Sequence, residues 1–362
     1  MTVNEKKERL RYPDYIRVTA CIFVIVIHVT ASNPWYTLDV YSKEWTILML
    51  YNVFVRSAVP LFVMLSGAFL LNPKKYFTNS YMGKKIYHYL VVYILWSFVY
   101  AMVWFFENYA VVFDVNIAKT IKKIILYAID SKYHLWFLPM LVGIYLITPC
   151  LRKITEAKSI MEYFLVLFMI NSVLRPFIVS VIGNERVISV INRISFEMVS
   201  GYAGYFVLGY YLSVHQFSSR LRKLCYYLSI ITLIISGIGS IYISRKTYEP
   251  QGFLTGEFSL TTFFVAISIF LFFKEHIINN AGNGECVKKV ALDRVIELVA
   301  ENSFGVYLIH VFWIELLEKL GLNVICINPV FGVPVLAVLI LILSFTSTWI
   351  LRKNTFIRKY FF

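Results

Sequence analysis

Apolar residues in this chain come in blocks of about twenty, the length at which a helix rising 1.5 Å per residue crosses roughly 30 Å of hydrocarbon. Ten such blocks fall at approximately 15–32, 46–71, 86–106, 134–151, 160–181, 197–213, 225–244, 258–273, 295–318 and 331–351. With 59% of 362 residues hydrophobic and only 15% charged, the chain lies well outside the range of soluble domains. The expected fold is all-α, a polytopic transmembrane helix bundle of about ten spans. It forms one membrane domain over 1–362 with no separate soluble domain, because the longest connection, 107–133, has 27 residues. No internal repeat is evident. The first block carries Arg17 and His28 and lacks a small-residue cleavage site, so it reads as a retained first helix rather than a signal peptide.

The net charge of +14 is distributed as the positive-inside rule requires, not as a basic stripe on a soluble module, which argues against nucleic acid as a partner. Of 35 Lys and Arg, 22 fall in the amino-terminal tail, the even-numbered loops and the carboxyl-terminal tail, and 10 in the odd-numbered loops. Both termini are therefore expected on the cytoplasmic side. The lysine-bearing loop 107–133 is the exception. Its Ile117, Ile121, Ile124, Ile125 and Ala128 recur at helical spacing opposite Lys119, Lys122 and Lys123, the pattern of an interfacial amphipathic helix. Only Cys326 of the five cysteines falls in an outward loop, which leaves no external disulfide framework.

The polar groups that remain inside the blocks are Arg17, His28, Arg56, Arg175, Glu197 and His310. An ionisable group in hydrocarbon costs from about 3 to over 10 kcal/mol, so such groups face a cavity or a partner. Taken singly, each has a structural explanation as an ion pair or a snorkelling side chain, Arg17 above all. Their placement argues for more. Arg17 and His28 are eleven residues apart, three helical turns plus about 20°, and so share a face. His28 and Arg56 fall near the bilayer midplane on antiparallel helices, a base and a cation at one level. In the ninth block Ser303, Tyr307 and His310 share one face, although a lone His there is more often a core residue. His134, beside Trp136 at the outer boundary, has an adequate explanation as an interface residue. No phosphate-binding loop, zinc-protease motif, nucleophile elbow or paired Cys-x-x-Cys occurs, and the His spacing does not suit a metal.

Four stretches in order now identify a resemblance. Asp14-Tyr-Ile-Arg17 through Ile27-His28 gives an Arg-x10-His pattern, and Arg56-Ser-Ala-Val-Pro-Leu-Phe-Val-Met-Leu-Ser-Gly67 follows it. His134-Leu-Trp-Phe-Leu-Pro139 with Tyr145-Leu-Ile-Thr-Pro149 comes next, then Ser303-Phe-Gly-Val-Tyr-Leu-Ile-His310. Together they resemble the acyltransferase type 3 family of integral-membrane proteins over essentially the whole chain, most of all its stand-alone members. The resemblance implies transfer of an acyl group, commonly acetyl from acetyl-CoA as donor substrate, onto a hydroxyl of a cell-surface carbohydrate at a bacterial inner membrane, with no metal. It implies essential roles for Arg17 and His28. Some members carry a cytoplasmic Arg-x-Arg after the second span; here Lys84-Lys85 stands nearby as the corresponding donor-binding pair, a departure from that pattern. With no extracytoplasmic hydrolase-like domain, transfer is completed within the membrane domain or by a partner, and a homo-oligomer or an envelope-assembly protein stays open as that partner.

A thioester is already activated, so catalysis needs a nucleophilic acceptor hydroxyl and a stabilised oxyanion. His28 suits the base, or an acyl-imidazole carrier. Arg17 suits a CoA phosphate at the cytoplasmic mouth. Arg56 suits the oxyanion, the orientation of His28 or a structural ion pair. Tyr307, His310, His134, Arg175 and Glu197 remain as acceptor-side groups. Buried Arg, His and Glu also suit a transporter or flippase for a lipid-linked sugar, against which stands the lack of an inverted repeat. A receptor or scaffold has no need of a base at this depth.

Overall fold

The computed structural model describes residues 10–73, 78–109, 117–182, 185–193, 199–279 and 287–362, and every regular element among them is helical. Nine helical stretches among the described residues are long and apolar enough to cross a membrane, and they coincide with nine of the ten expected spans. The chain is a multi-pass membrane protein.

The first span is α1 (Tyr12–Thr30), opened by Pro13 in its first turn, where a missing N–H costs nothing. A short α2 (Asn33–Thr37) follows it. The second span is not continuous as expected. It breaks into α3 (Lys43–Val55) and α4 (Ala58–Leu70) at Arg56–Ser57, because Pro60 has no N–H to give the carbonyl of Arg56 four residues back. α5 (Asn79–Tyr109) then returns across the bundle. The expected amphipathic segment is α6 (Ile117–Asp130), which leans on α5 through Trp104 stacked on Tyr127 at 4.9 Å and leaves Ile121, Ile125 and Ile129 exposed.

A one-turn 3-10 helix, Tyr133–Trp136, leads into α7 (Phe137–Ile154). Next come α8 (Lys158–Phe168), a wider π turn (Met169–Leu174), α9 (Arg175–Ile182) and α10 (Glu185–Arg193). The sixth expected span, 197–213, is present only as α11 (Tyr202–Val214). Thirteen residues rise about 20 Å, too short to cross alone. Its short reach is offset by burial against α4, with the two backbones touching: a Cβ on Gly67 would run into the Phe206 carbonyl, and one on Gly209 into that of Met64. Small residues at such a seam let helices approach without a hydrophobic drive, as lipid-embedded helices require.

The remaining helices are α12 (Ser219–Thr247), α13 (Leu260–Asn279), α14 (Val287–Lys319), α15 (Pro329–Leu351) and α16 (Thr355–Tyr360). α1 is the central column, packed against α3, α4, α13, α14 and α15. The start of α1 and the end of α15 lie at one end of the bundle, because the residues that flank them both meet the first half of α14. Arg11 pairs with Asp293 at 2.7 Å, and Arg352 donates to the Glu301 carbonyl and to Asn302 Oδ1, each at 2.8 Å. This is the terminal end; the α1–α2 turn, the start of α7 and the end of α14 lie at the far end.

Candidate active site

Three histidines from three separate parts of the chain meet near the far end of α1. Ring centroids are 5.1 Å apart for His28 and His310, 5.2 Å for His134 and His310, and 6.4 Å for His28 and His134. His28 comes from the last turn of α1, His310 from α14, and His134 from the 3-10 turn before α7. His28 was expected near mid-depth; along α1 it lies nearer the far end than the middle. Its place is about 24 Å along a helix of about 28 Å, in the far third, because α1 ends two residues later at Thr30. His134 is not an interface anchor, nor His310 a lone core residue; both are buried members of the trio.

Backbone carbonyls fix the tautomers of two rings. His310 Nδ1 lies 2.6 Å from the Tyr307 carbonyl and His134 Nε2 lies 3.4 Å from that of Leu308, so each of these nitrogens donates. The other nitrogen of each neutral ring, His310 Nε2 and His134 Nδ1, is then an acceptor. Both are buried without a hydrogen-bond partner. Buried polar atoms are nearly always paired, so two open acceptors beside a third imidazole mark a place where a donor belongs. Tyr hydroxyls lock the backbone around them: Tyr307 donates to the His134 carbonyl at 2.5 Å and Tyr100 to the Leu308 carbonyl at 2.8 Å.

On the terminal side of this trio lies a cavity of about 290 Å³, which the three histidines do not themselves line. Arg17 and Glu301 line it toward the terminal end, Phe62, Ser66 and Tyr89 along its walls, and Phe137 and Tyr307 where it meets the histidines. The Tyr307 ring is 5.7 Å from His134 and 6.1 Å from His310, so this side chain is the partition between cavity and trio. Arg17 and Val24, on one stripe of α1, both line the cavity, whereas His28 lies one turn beyond Val24 and outside its lining. Arg17 also pairs with Asp14 at 3.5 Å.

Arg56 reaches the same region through a relay. Its Nε donates to Asn52 Oδ1 at 2.7 Å, Asn52 Nδ2 to Thr30 Oγ1 at 3.1 Å, and Thr30 Oγ1 to the Val26 carbonyl at 2.8 Å. The guanidinium is thereby tied to the last turn of α1, within electrostatic range of His28 and of Glu257. The helix break at Arg56–Ser57 places it there.

Other expected residues are not gathered in. Arg175 donates to Asn171 Oδ1 at 3.2 Å one turn back on the α8–α9 stretch and does not line the cavity. Glu197 lies outside the described residues. Lys84 is exposed, and Lys85 sits over the Tyr81 ring at 5.4 Å near the start of α5, one turn from the cavity residue Tyr89. Asn52, Ser66, Tyr89, Tyr100 and Glu301 were not singled out in the sequence; a polar residue one turn from Arg56 was the available signal for Asn52. Among the described residues no group of three His, Cys, Asp or Glu side chains is disposed to hold a metal ion.

A family model described as an acyltransferase domain matches residues 10–353. No curated protein and no solved structure matches the chain.

Proposed function

Because the chain belongs to the acyltransferase type 3 family, we propose that this membrane acyltransferase moves an acyl group, acetyl in the simplest case, from acyl-CoA to a hydroxyl of a cell-surface polysaccharide or its lipid-linked precursor. The setting is a bacterial inner membrane, with the terminal end facing the cytoplasm.

The observation that carries this reading is a cavity lined by Arg17 and closed by Tyr307, the ring of which lies against a trio of imidazoles with two open acceptor nitrogens. Arg17 offers a planar fork of donors for a CoA phosphate near the mouth. The cavity holds the thioester arm, and its carbonyl carbon is presented at Tyr307. On the base route His28 removes the proton of the acceptor hydroxyl, whose oxygen attacks that carbon. The tetrahedral oxyanion collapses, the C–S bond breaks, and the thiolate leaves with the proton as free CoA. On the carrier route the imidazole attacks the thioester carbon first, the C–S bond breaks and CoA leaves as the thiol with the imidazole proton, and the hydroxyl then displaces the imidazole from the acyl group. Arg56, held beside α1, supplies positive charge where the oxyanion develops. His134 and His310 accept from the hydroxyl or from the His28 ring, orienting either one.

The test is incubation of radiolabelled acetyl-CoA with membranes and envelope material, with and without this chain. Alkali-labile label in carbohydrate should require the chain. Equal labelling without it refutes the proposal.

A further inference from the structure

The side of the trio opposite the cavity has its own group of side chains, none of them used in the reaction above. The Tyr133 ring lies 5.1 Å from that of His28 and is 53% exposed. Lys132 next to it is ion-paired with Glu315 and lies 5.9 Å from the Tyr133 ring. Glu315, Glu318 and Tyr36 are electrostatic neighbours of the Tyr133 hydroxyl, and Tyr36 on α2 is 74% exposed. Glu318 holds a buried carboxylate oxygen, Oε1, with no hydrogen-bond partner. α2, the turn before α7 and the end of α14 each contribute, so the fold assembles this group from distant sequence.

Tyr side chains at a membrane boundary are ordinary anchors, and a Lys–Glu pair at a helix end is an ordinary contact. Neither accounts for an exposed ring set against His28, nor for a carboxylate oxygen left without a donor. The composition selects a ligand. Two accessible aromatic faces suit the C–H face of a pyranose, and carboxylates are acceptor-only groups that suit its hydroxyls. A phosphate or a second CoA would meet the carboxylates of Glu315 and Glu318 at close range and be repelled.

Resting on the acyltransferase reading, we propose that this far-end opening is the acceptor subsite and takes a sugar residue. Tyr36 and Tyr133 form its platform, Glu318 Oε1 accepts a hydrogen bond from a hydroxyl that does not react, and the reacting hydroxyl passes the edge of Tyr133 to reach His28. Donor and acceptor then come to the trio from opposite ends, with Tyr307 between them.

The experiment uses the full chain in membranes, radiolabelled acetyl-CoA, and envelope material from cells lacking the chain, stripped of esters by mild alkali and titrated as acceptor. Tyr133→Ala and Glu318→Gln should each raise the apparent KM for that acceptor about tenfold, equivalent to about 1.4 kcal/mol. The KM for acetyl-CoA should stay unchanged, and Tyr133→Phe should behave as wild type. A wild-type chain that labels the envelope, with variants of unaltered acceptor KM, overturns the subsite alone. A parallel rise in both KM values also overturns it, because Tyr133 and Glu318 would then act through the fold. A wild-type chain that transfers no label overturns the acyltransferase reading beneath it.

Discussion

The hydroxyl of Tyr307 donates to the backbone carbonyl of His134 at 2.5 Å, so one side chain both closes the cavity and fixes the turn that carries a second histidine. Tyr307→Phe keeps the ring and removes this buried bond, leaving the His134 carbonyl without it. The expected cost is about 1–3 kcal/mol of stability, with kcat lowered while both KM values stay near wild type. Thermal unfolding in detergent and initial rates check this. An unaltered kcat would reduce the bond to a packing detail.

Arg17→Lys should raise the apparent KM for acyl-CoA and leave that for the acceptor nearly constant. The charge is kept, but the planar fork suited to phosphate is lost. Arg17 lines the cavity about 16 Å along α1 from His28, which separates donor head from reacting carbon. A snorkelling anchor would tolerate the change, since either cation reaches the interface. Donor titrations at saturating acceptor decide between them.

The pair of Lys132 with Glu315 makes a stability prediction with a defined pH window. Burial pulls the Lys132 ammonium down, but the hydrogen bond and charge of Glu315 outweigh it and hold it above its ordinary range. A raised folded-state value stabilises the fold below the unfolded value, and the gain is lost as pH rises through the folded value. The contribution should therefore be constant across neutral pH and fade only in strong alkali. Lys132→Met should cost on the order of 1–2 kcal/mol at neutral pH by stranding a half-buried carboxylate, and adding Glu315→Gln should restore most of it. Additive losses in that double-mutant cycle would show that the two do not interact.

Reporter fusions at Phe362 and near Asp39 should report opposite sides of the membrane, Phe362 facing the cytoplasm. The 22 to 10 asymmetry of Lys and Arg motivates this, together with the meeting of Arg11 and Arg352 with the first half of α14. Reporters on one side would mean an even number of crossings between the α2–α3 turn and Phe362, against the nine expected.

Periodicity made the spans legible, because each crossing must supply its own run of apolar residues whatever its neighbours do. The same logic exposed the Arg17–His28 face, which depends only on helical spacing within α1. The trio was not legible. His28, His134 and His310 lie more than 100 residues apart from one another, and each alone has an adequate structural excuse. Only the packing of α14 and the turn before α7 around α1 brings them together. The shortness of α11 was hidden for a related reason: its stability comes from backbone contact with α4 through Gly67 and Gly209, and hydropathy does not register such a seam. Arg175 illustrates the converse: its depth in a span suggested a site, and the structure has it donating to Asn171 one turn away and outside the cavity lining.

The proposed transfer needs His28 to take part in the chemistry at the trio. The direct measurement is radiolabelled acetyl transfer from acetyl-CoA to alkali-labile envelope carbohydrate by wild-type and His28→Ala membranes, matched for inserted protein. The variant should be produced and inserted normally and should transfer at least about a hundredfold more slowly, the loss expected for a catalytic acid–base group. Wild-type labelling by His28→Ala would contradict the account.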